Sequence, residues 1–244
     1  MTCFGLPRRH FRVTDSTNER ARELALAGAP SGTVVTAEEQ TSGRGRRGRV
    51  WAAPPGKALL YSAILCPLGR EHVLLPLAVP LAVCEAVEAL ASLECRVKWP
   101  NDVWIAERKV AGVLLEARPP EWAVIGIGLN LTVEPAEFPP DLRWPATSIG
   151  QGATTTAALE SVNQRLERWV DAAPGRVLEE FAARDALRGR QIHWEGAGAD
   201  YPSGAGRAEG IDDRGNLLVA THDGQRLSLG AGEVSLSLPW AGRD

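Results

Sequence analysis

Cysteine and histidine are scarce in this 244-residue sequence, with four of each, and neither set is spaced like a metal site. No two cysteines stand close enough for a redox or zinc motif, and no export signal is recognisable, so a disulfide framework is excluded. We expect reduced thiols of the core at Cys3, Cys66, Cys84 and Cys95. The histidines lie far apart, at positions 10, 72, 193 and 222.

Long apolar segments and a strong net charge are also missing. The N-terminal residues lack the apolar segment of about 7 to 15 residues that a signal peptide needs. The longest apolar run, 73–91, is interrupted by prolines and glutamates, which predicts a buried helix and not a membrane span. The net charge is -3 and the pI is about 5.9, which argues against nucleic acid as the main partner. We therefore expect a cytoplasmic protein without membrane association.

Lysine is rare as well, because only three of the 27 lysines and arginines are lysine and the other 24 are arginine. A chain with this bias retains lysine where a compact ammonium is needed in place of a planar guanidinium. Lys98 and Lys109 lie in one segment, KWPNDVWIAERK, and we expect both to be functional. For Lys57, function and chance retention stay equally open.

Arginine and glycine dominate the segment 43–49, GRGRRGR, which Trp51 closes. Glycine lets the backbone adopt positive φ and approach a ligand closely, so the segment is typical of a mobile loop that holds an anion such as phosphate. It also satisfies the dinucleotide pattern G-x-G-x-x-G, but Pro54 and Pro55 forbid the helix that such a site requires. A solvated arginine run and a contact with nucleic-acid phosphates are the remaining interpretations.

Hydrophobic periodicity divides the chain between residues 187 and 188. Before that point, Ser16 and Glu19 form a predicted capping box that opens a helix through about Ala27. Strand-like runs follow at 33–38, 58–65, 96–99, 109–116 and 122–131, and helical patterns at 159–169 and 177–187. After that point, four or five short runs separated by Gly-rich or Asp-Gly turns predict a small β-barrel. The predicted domains are therefore 1–187 and 188–244.

Seven motifs in chain order resemble the bacterial biotin protein ligases. They are DSTN at 15–18, EQTSGRGRRGRVW at 39–51, KWPND at 98–102, KVAGVLLE at 109–116, GIGLN at 126–130, PATS at 145–148 and GEVSL at 232–236. The resemblance implies an α+β fold, in which domain 1–187 is a mixed β-sheet flanked by helices, as in class II aminoacyl-tRNA synthetases and lipoate ligases. Domain 188–244 would be a small C-terminal SH3-like β-barrel.

The resemblance also implies a reaction. Enzymes of this family activate biotin with ATP and Mg²⁺ to biotinyl-5'-adenylate, and then transfer biotin to one lysine of the biotin carboxyl carrier protein of acetyl-CoA carboxylase. The first step brings two anions together, so fixed cations matter more than a general base. The sequence leaves open which carrier is used, and whether the enzyme is a monomer or a homodimer.

The family's site residues can be carried onto matching positions of this chain. Lys109 and Arg46 are the candidate catalytic residues, and Lys109 would lie between the biotin carboxylate and the α-phosphate. The candidate biotin-binding residues are Ser16, Thr17, Asn18, Gln40, Arg44, Gly45, Arg46, Lys109 and Gly112. The candidate ATP- and adenylate-binding residues are Arg46, Arg47, Trp51, Lys98, Asn101, Asp102, Lys109 and Asn130. Phosphate oxygens would provide most of the Mg²⁺ ligands, and Asp102 is the candidate protein ligand.

Three other functions are weighed against this one. A lipoate ligase would share the fold, but its RRxSGGG-type motif is not found. A nucleic-acid module would use the arginine run, and an NAD-dependent oxidoreductase is disfavoured by the two prolines. Only fourteen residues precede Asp15, too few for the DNA-binding domain of ligases that double as repressors, so we expect no specific DNA binding.

Overall fold

The computed structural model describes residues 2–196, 203–231 and 234–238, which form two β-sheets and four α-helices. Gly232 and Glu233 of the GEVSL motif lie outside the described residues. The strands of the first sheet are β1 (Arg8–Thr14), β2 (Val34–Gln40), β3 (Ala58–Leu65), β4 (Arg96–Lys98), β5 (Asp102–Ile105), β6 (Arg108–Arg118) and β7 (Trp122–Asn130). The helices are α1 (Thr17–Leu26), α2 (Leu75–Leu90), α3 (Thr155–Val170) and α4 (Pro174–Arg184).

The first sheet is mixed, as predicted. Its strand order is β1-β2-β3-β7-β6-β5-β4, in which β1 and β2 are parallel and all other neighbours are antiparallel. Strands β1 and β5 were not predicted from the sequence. The polar sequence RRHFRVT gives little strand signal because β1 is a largely exposed edge strand. Strand β5 begins at Asp102, the last residue of KWPND, where Asn101 and Asp102 were interpreted as nucleotide-binding residues.

The two faces of this sheet are covered differently, because successive side chains of a strand point to opposite faces. Leu59, Tyr61 and Ile125 belong to the main core, into which α2 and α3 also pack. On the opposite face, Ile64 and Val124 pack with Ala21 of α1 in a smaller cluster. Helices therefore flank both faces, and α1 covers only part of its face.

Helix α2 is the buried helix that the sequence predicted. Among the described residues, Arg70–Leu90, which includes a 3₁₀ turn before α2, is the helical stretch long and apolar enough to cross a membrane by length and composition. Within its apolar window, 67% of the residues are buried inside the protein. Core packing accounts for this apolar character.

The second sheet contains the short C-terminal strands. These are β8 (Gln191–Gly196), β9 (Gly204–Ile211), β10 (Leu217–Thr221), β11 (Arg226–Leu229) and β12 (Val234–Ser237), in the order β11-β10-β9-β8-β12. All described pairings are antiparallel. The predicted short strands are thus confirmed, whereas closure into an SH3-like barrel and the boundary at 187/188 stay predictions.

Two local expectations were wrong. Ser16 is the N-cap of α1, but its side chain makes no cap hydrogen bond, and Glu19 instead faces the guanidinium groups of Arg22 and Arg44. The four cysteines are free thiols, yet only Cys84 and Cys95 are buried in the core. Cys3 is exposed because it precedes the first strand, and Cys66 is half-buried just after β3.

Candidate active site

A cavity of about 590 Å³ lies on the sheet face that α1 covers only in part. Most of the predicted site residues line it together: Ser16, Thr17, Asn18, Gln40, Arg44, Gly45, Arg46, Trp51, Asn101, Asp102, Lys109, Gly112 and Asn130. Arg47 and Lys98 instead line a small adjoining cavity of about 20 Å³, which shares Arg46, Asn101 and Asp102 with the first. The motifs are far apart in sequence, and the mixed sheet brings them together.

Glycines of β6 and β7 make room for this cavity. A Cβ atom on Gly128 would lie 2.3 Å from Cε2 of Trp51, and one on Gly126 would lie 2.0 Å from Oδ1 of Asn18. Real Cβ atoms do not approach other atoms this closely, so Trp51 and Asn18 pack directly on bare backbone. The alternation of GIGLN thus directs isoleucine and leucine into the core and glycine toward the cavity.

One end of the cavity is polar and uncharged. The backbone N–H of Thr17 donates to Oε1 of Gln40 at 2.7 Å, and the Thr17 hydroxyl donates to the same oxygen at 3.0 Å. Ser16 is buried beside them, with its hydroxyl not used for capping. This end can therefore offer hydrogen bonds to a buried polar group.

The centre of the cavity is charged. Asp102 is buried between two lysines, with Lys109 Nζ 2.5 Å from Oδ1 and Lys98 Nζ 3.6 Å from Oδ2. Burial works to raise the pKa of Asp102, but the two ammonium groups outweigh it and hold that pKa below its ordinary value. Lys109 also lies over the ring of Trp51, 5.6 Å from its centroid.

Lys98 occupies a more enclosed position than Lys109. Its Nζ atom lies 4.7 Å from the ring centroid of Trp144 and 5.9 Å from that of Trp104. Burial lowers the pKa of Lys98 to about 8, and the attraction of Asp102 offsets only part of that effect. A small rise in pH can therefore discharge Lys98.

The glycine-arginine segment 43–49 folds back on itself at one edge of the cavity. The N–H of Gly45 donates to the carbonyl of Arg49 at 2.7 Å, and the reversal passes through left-handed backbone at Arg47 (φ 56°) and Gly48 (φ 71°). The guanidinium of Arg46 donates to Oδ1 of Asn101 at 3.3 Å and to the carbonyl of Ala231. Arg46 thereby connects the loop to the turn between β4 and β5 and to the segment that follows β11.

This chain is similar to known proteins in both sequence and fold. Residues 10–130 match the model of the biotin/lipoate A/B protein ligase family, and 204–237 match the biotin protein ligase C-terminal domain. The biotin--[acetyl-CoA-carboxylase] ligase of Mycobacterium tuberculosis is 33% identical over 237 residues, which cover 91% of this chain and 85% of that protein. The bifunctional ligase/repressor of Bacillus subtilis is 36% identical over 232 residues, covering 87% of this chain and 69% of that protein.

The chain belongs to the biotin protein ligase family. Its fold agrees with that of a solved relative, the biotin protein ligase from Aquifex aeolicus in complex with biotin and ATP. The two superpose with a TM-score of 0.80 at 28% identity, over 96% of this chain and 100% of the other.

Several residues that line the ligase cavity were missed in the sequence. Arg143 and Trp144 lie near Lys98, and the segment 138–146 closes the end of the cavity that lies beside Asn130. Arg143 and Trp144 carried no recognisable signal, because the segment before the PATS motif is irregular. Lys57 lines neither cavity, and its Nζ lies 2.6 Å and 2.7 Å from the two carboxylate oxygens of Glu137, just before that segment.

The carboxylates of the cavity do not fit a protein-held Mg²⁺ ion. Among the described residues that line it, Asp102 and Asp141 are the acidic side chains. Asp102 already faces two ammonium groups, and Asp141 is exposed. The described part of the chain contains no group of three side chains that could hold a metal ion. The geometry therefore disfavours Asp102 as a metal ligand.

Proposed function

We propose that this ligase activates biotin with ATP, releasing pyrophosphate, and transfers biotin from the adenylate to a lysine of the biotin carboxyl carrier protein of acetyl-CoA carboxylase. The observation that carries this proposal is a single cavity with an uncharged polar end at Thr17 and Gln40 and a cationic centre at Lys109. Biotin has the same two parts, a polar ureido ring and an anionic carboxylate, joined by an apolar chain.

The ureido ring would occupy the polar end. Its carbonyl needs donors and its two N–H groups need acceptors once they are buried. Gln40 offers the donors, because its Nε2 hydrogens remain to donate while Oε1 already accepts two bonds from Thr17. The Ser16 hydroxyl can add a further donor or acceptor. The apolar chain would then lie along Trp51 and the glycines of β6 and β7, toward Lys109.

Lys109 would act where charge accumulates. The biotin carboxylate attacks the α-phosphorus, the bond to the bridging oxygen breaks, and pyrophosphate leaves with the electron pair. The Lys109 ammonium can stabilise both anions as they approach, and its ion pair with Asp102 holds it in place. The chain fixes Lys109 at its backbone too, because its N–H donates to the carbonyl of Pro145 at 2.7 Å and its carbonyl accepts from Thr147 at 2.9 Å.

The nucleotide would lie between Lys109 and the segment 138–146. The amide nitrogen of Asn130 donates to the carbonyl of Thr147 at 3.0 Å, and its Oδ1 would accept from the adenine amino group. Arg46, Arg47 and Lys98 would face the phosphates from the adjoining cavity. Any Mg²⁺ ion would arrive on the phosphate oxygens, and we place no step of the reaction on it.

In the second half-reaction, the ε-amine of the carrier lysine attacks the biotinyl carbonyl carbon. The carbon–oxygen bond to AMP breaks, the amine loses a proton, and an amide remains. Because ATP, biotin and an acetyl-CoA carboxylase carrier must be available together, we place the ligase in the cytoplasm.

A lipoate ligase is the second candidate, since the matched family model covers both biotin and lipoate ligases. Lipoate has no ureido group, so the Nε2 hydrogens of Gln40 would find no acceptor on it, whereas Gln40 Oε1 is already matched by Thr17. Unmatched buried polar groups cost about 1 to 3 kcal/mol each. The polar end of the cavity therefore favours biotin.

A transfer assay tests the proposed function. The purified protein is incubated with biotin, ATP and a purified biotin carboxyl carrier domain, and the carrier is examined by mass spectrometry and streptavidin blotting. We expect ATP-dependent biotin on one carrier lysine, and none on a carrier whose target lysine is changed to arginine. An unmodified carrier, together with transfer of lipoate to a lipoyl domain, would contradict the proposal.

We expect kcat/KM for ATP to fall as the pH rises above about 8, the pKa of Lys98. Below that pH, Lys98 is protonated and attracts the phosphates, and above it the attraction is lost. The profile is measured by initial rates from about pH 7 to about pH 9.5, a range that brackets this pKa.

Lys98→Arg is the control for this profile, because a guanidinium keeps its charge throughout the range. It should flatten the fall even if its activity at neutral pH is lower. Identical profiles for the two proteins would show that another group is responsible.

A further inference from the structure

We propose that Glu116 is a positioning residue, which fixes the amide of Asn18 and through it the Thr17–Gln40 pair that receives the biotin ureido ring. This inference rests on the proposed function. Glu116 was not among the predicted site residues, and Asn18 was predicted to contact biotin itself.

The amide of Asn18 is already engaged within the protein. Its Nδ2 donates to Oε2 of Glu116 at 2.7 Å and, more weakly, to the carbonyl of Leu114 at 3.4 Å. Its Oδ1 lies 2.7 Å from the hydroxyl of Ser62. A carboxylate only accepts hydrogen bonds, so Glu116 makes the Asn18 amide point its Nδ2 toward the carboxylate and its Oδ1 toward Ser62. Both ends of Asn18 therefore have protein partners before any ligand binds.

Ser62 connects Asn18 to Thr17 and Gln40, the pair that would bind the ureido ring. The Ser62 oxygen lies 2.8 Å from the hydroxyl oxygen of Thr17, and Thr17 in turn is bonded to Gln40 Oε1. Ser62 has a single hydroxyl proton, and Asn18 Oδ1 can only accept one. Once Asn18 accepts that proton, the Ser62 oxygen competes with Gln40 Oε1 for the single Thr17 hydroxyl proton, while the Thr17 backbone N–H keeps its bond to Gln40 Oε1.

Burial makes this network difficult to replace by water. Ser62 is fully buried, and Thr17 and Asn18 are each only 4% exposed. Asn18 also rests on Gly126, where any side chain would collide with Oδ1. A buried network of this kind is favourable only when every member is satisfied. Glu116 supplies its charged end, and Gln40 presents its opposite end to the cavity.

Glu116→Leu should raise the KM for biotin by roughly tenfold to a hundredfold, the usual effect of an unmatched buried polar group. The KM for ATP should change little, because the nucleotide lies beyond Lys109. Glu116→Gln should restore most of the biotin affinity, since its amide oxygen can still accept from Asn18. Both constants come from pyrophosphate exchange, and calorimetry of biotin alone gives the affinity directly.

Glu121→Leu is the matched control, because Glu121 lies in the exposed turn at the far end of the same hairpin. If Glu116→Leu fails to fold, Ser62→Ala decides, since it removes only the connecting hydroxyl and should also raise the biotin KM selectively. Equal rises in both KM values, or no rise in either variant, would overturn the role of Glu116. Absence of biotin-dependent exchange in the unaltered protein would instead reject the proposed function.

Discussion

Lys109→Ala is expected to slow biotin-dependent pyrophosphate exchange by about a hundredfold to a thousandfold, the loss typical when one preorganised charge is removed from a reacting centre. The side chain is only partly buried and lies in the cavity, so the apolar core should be unaffected. Asp102 would keep Lys98 as its one remaining ammonium partner, and we expect a small decrease in the melting temperature from this change.

The size and shape of the cation matter at this position. Lys109→Arg should not restore activity, because a planar guanidinium cannot occupy the space between Asp102 and Trp51 as a compact ammonium does. Lys57→Ala is the control, since Lys57 lies outside the cavity and pairs with Glu137 at the surface. Exchange at the normal rate in folded Lys109→Ala protein would remove Lys109 from the mechanism.

Arg46→Gly is expected to release the adenylate about ten to a hundred times faster, which corresponds to the loss of a charged hydrogen bond. Arg46 connects the glycine-arginine loop to Asn101 and Ala231, so the loop loses its attachment as well as a cation. The freed mixed anhydride acylates accessible amines, and bystander proteins should therefore become biotinylated. The rate of adenylate synthesis should change less than the rate of adenylate release, because Lys109 and the polar end of the cavity stay in place.

Rapid dilution of the loaded enzyme gives the rate of adenylate release, and an unrelated lysine-rich protein reports bystander labelling. Arg9→Gly serves as the control, because Arg9 is an exposed arginine of β1 outside the cavity. A release rate equal to that of the unaltered enzyme, with no bystander labelling, would mean that Arg46 is a solvated loop residue that does not hold the adenylate.

Much of the site could be located from the sequence because its motifs are local. The arginine bias singled out Lys98 and Lys109, and the fold places both against Asp102. The family's motifs led to most of the residues that line the cavity. The sequence could not show which partner each polar side chain forms a hydrogen bond with. Ser16 was expected to cap α1, yet its side chain makes no cap hydrogen bond.

Supporting residues were harder to find because their partners are distant in the chain. Glu116 and Asn18 are 98 positions apart, and only the pairing of β6 with β7 beside α1 brings them together. A signal was nevertheless present: Glu116 alternates with Gly112 on the cavity face of β6, and Ser62 interrupts the apolar run of β3. A polar residue within a buried strand needs a partner, and it can indicate the edge of a site.

Exchange of radiolabelled pyrophosphate into ATP, with biotin, lipoate and octanoate compared side by side, tests the central claim most directly. The purified protein, ATP and magnesium are common to all three reactions, so only the acid differs. We predict rapid exchange with biotin and little with the other two acids, because only biotin matches the polar end formed by Thr17 and Gln40. Exchange that is as fast with lipoate or octanoate, or absent with biotin, would contradict it.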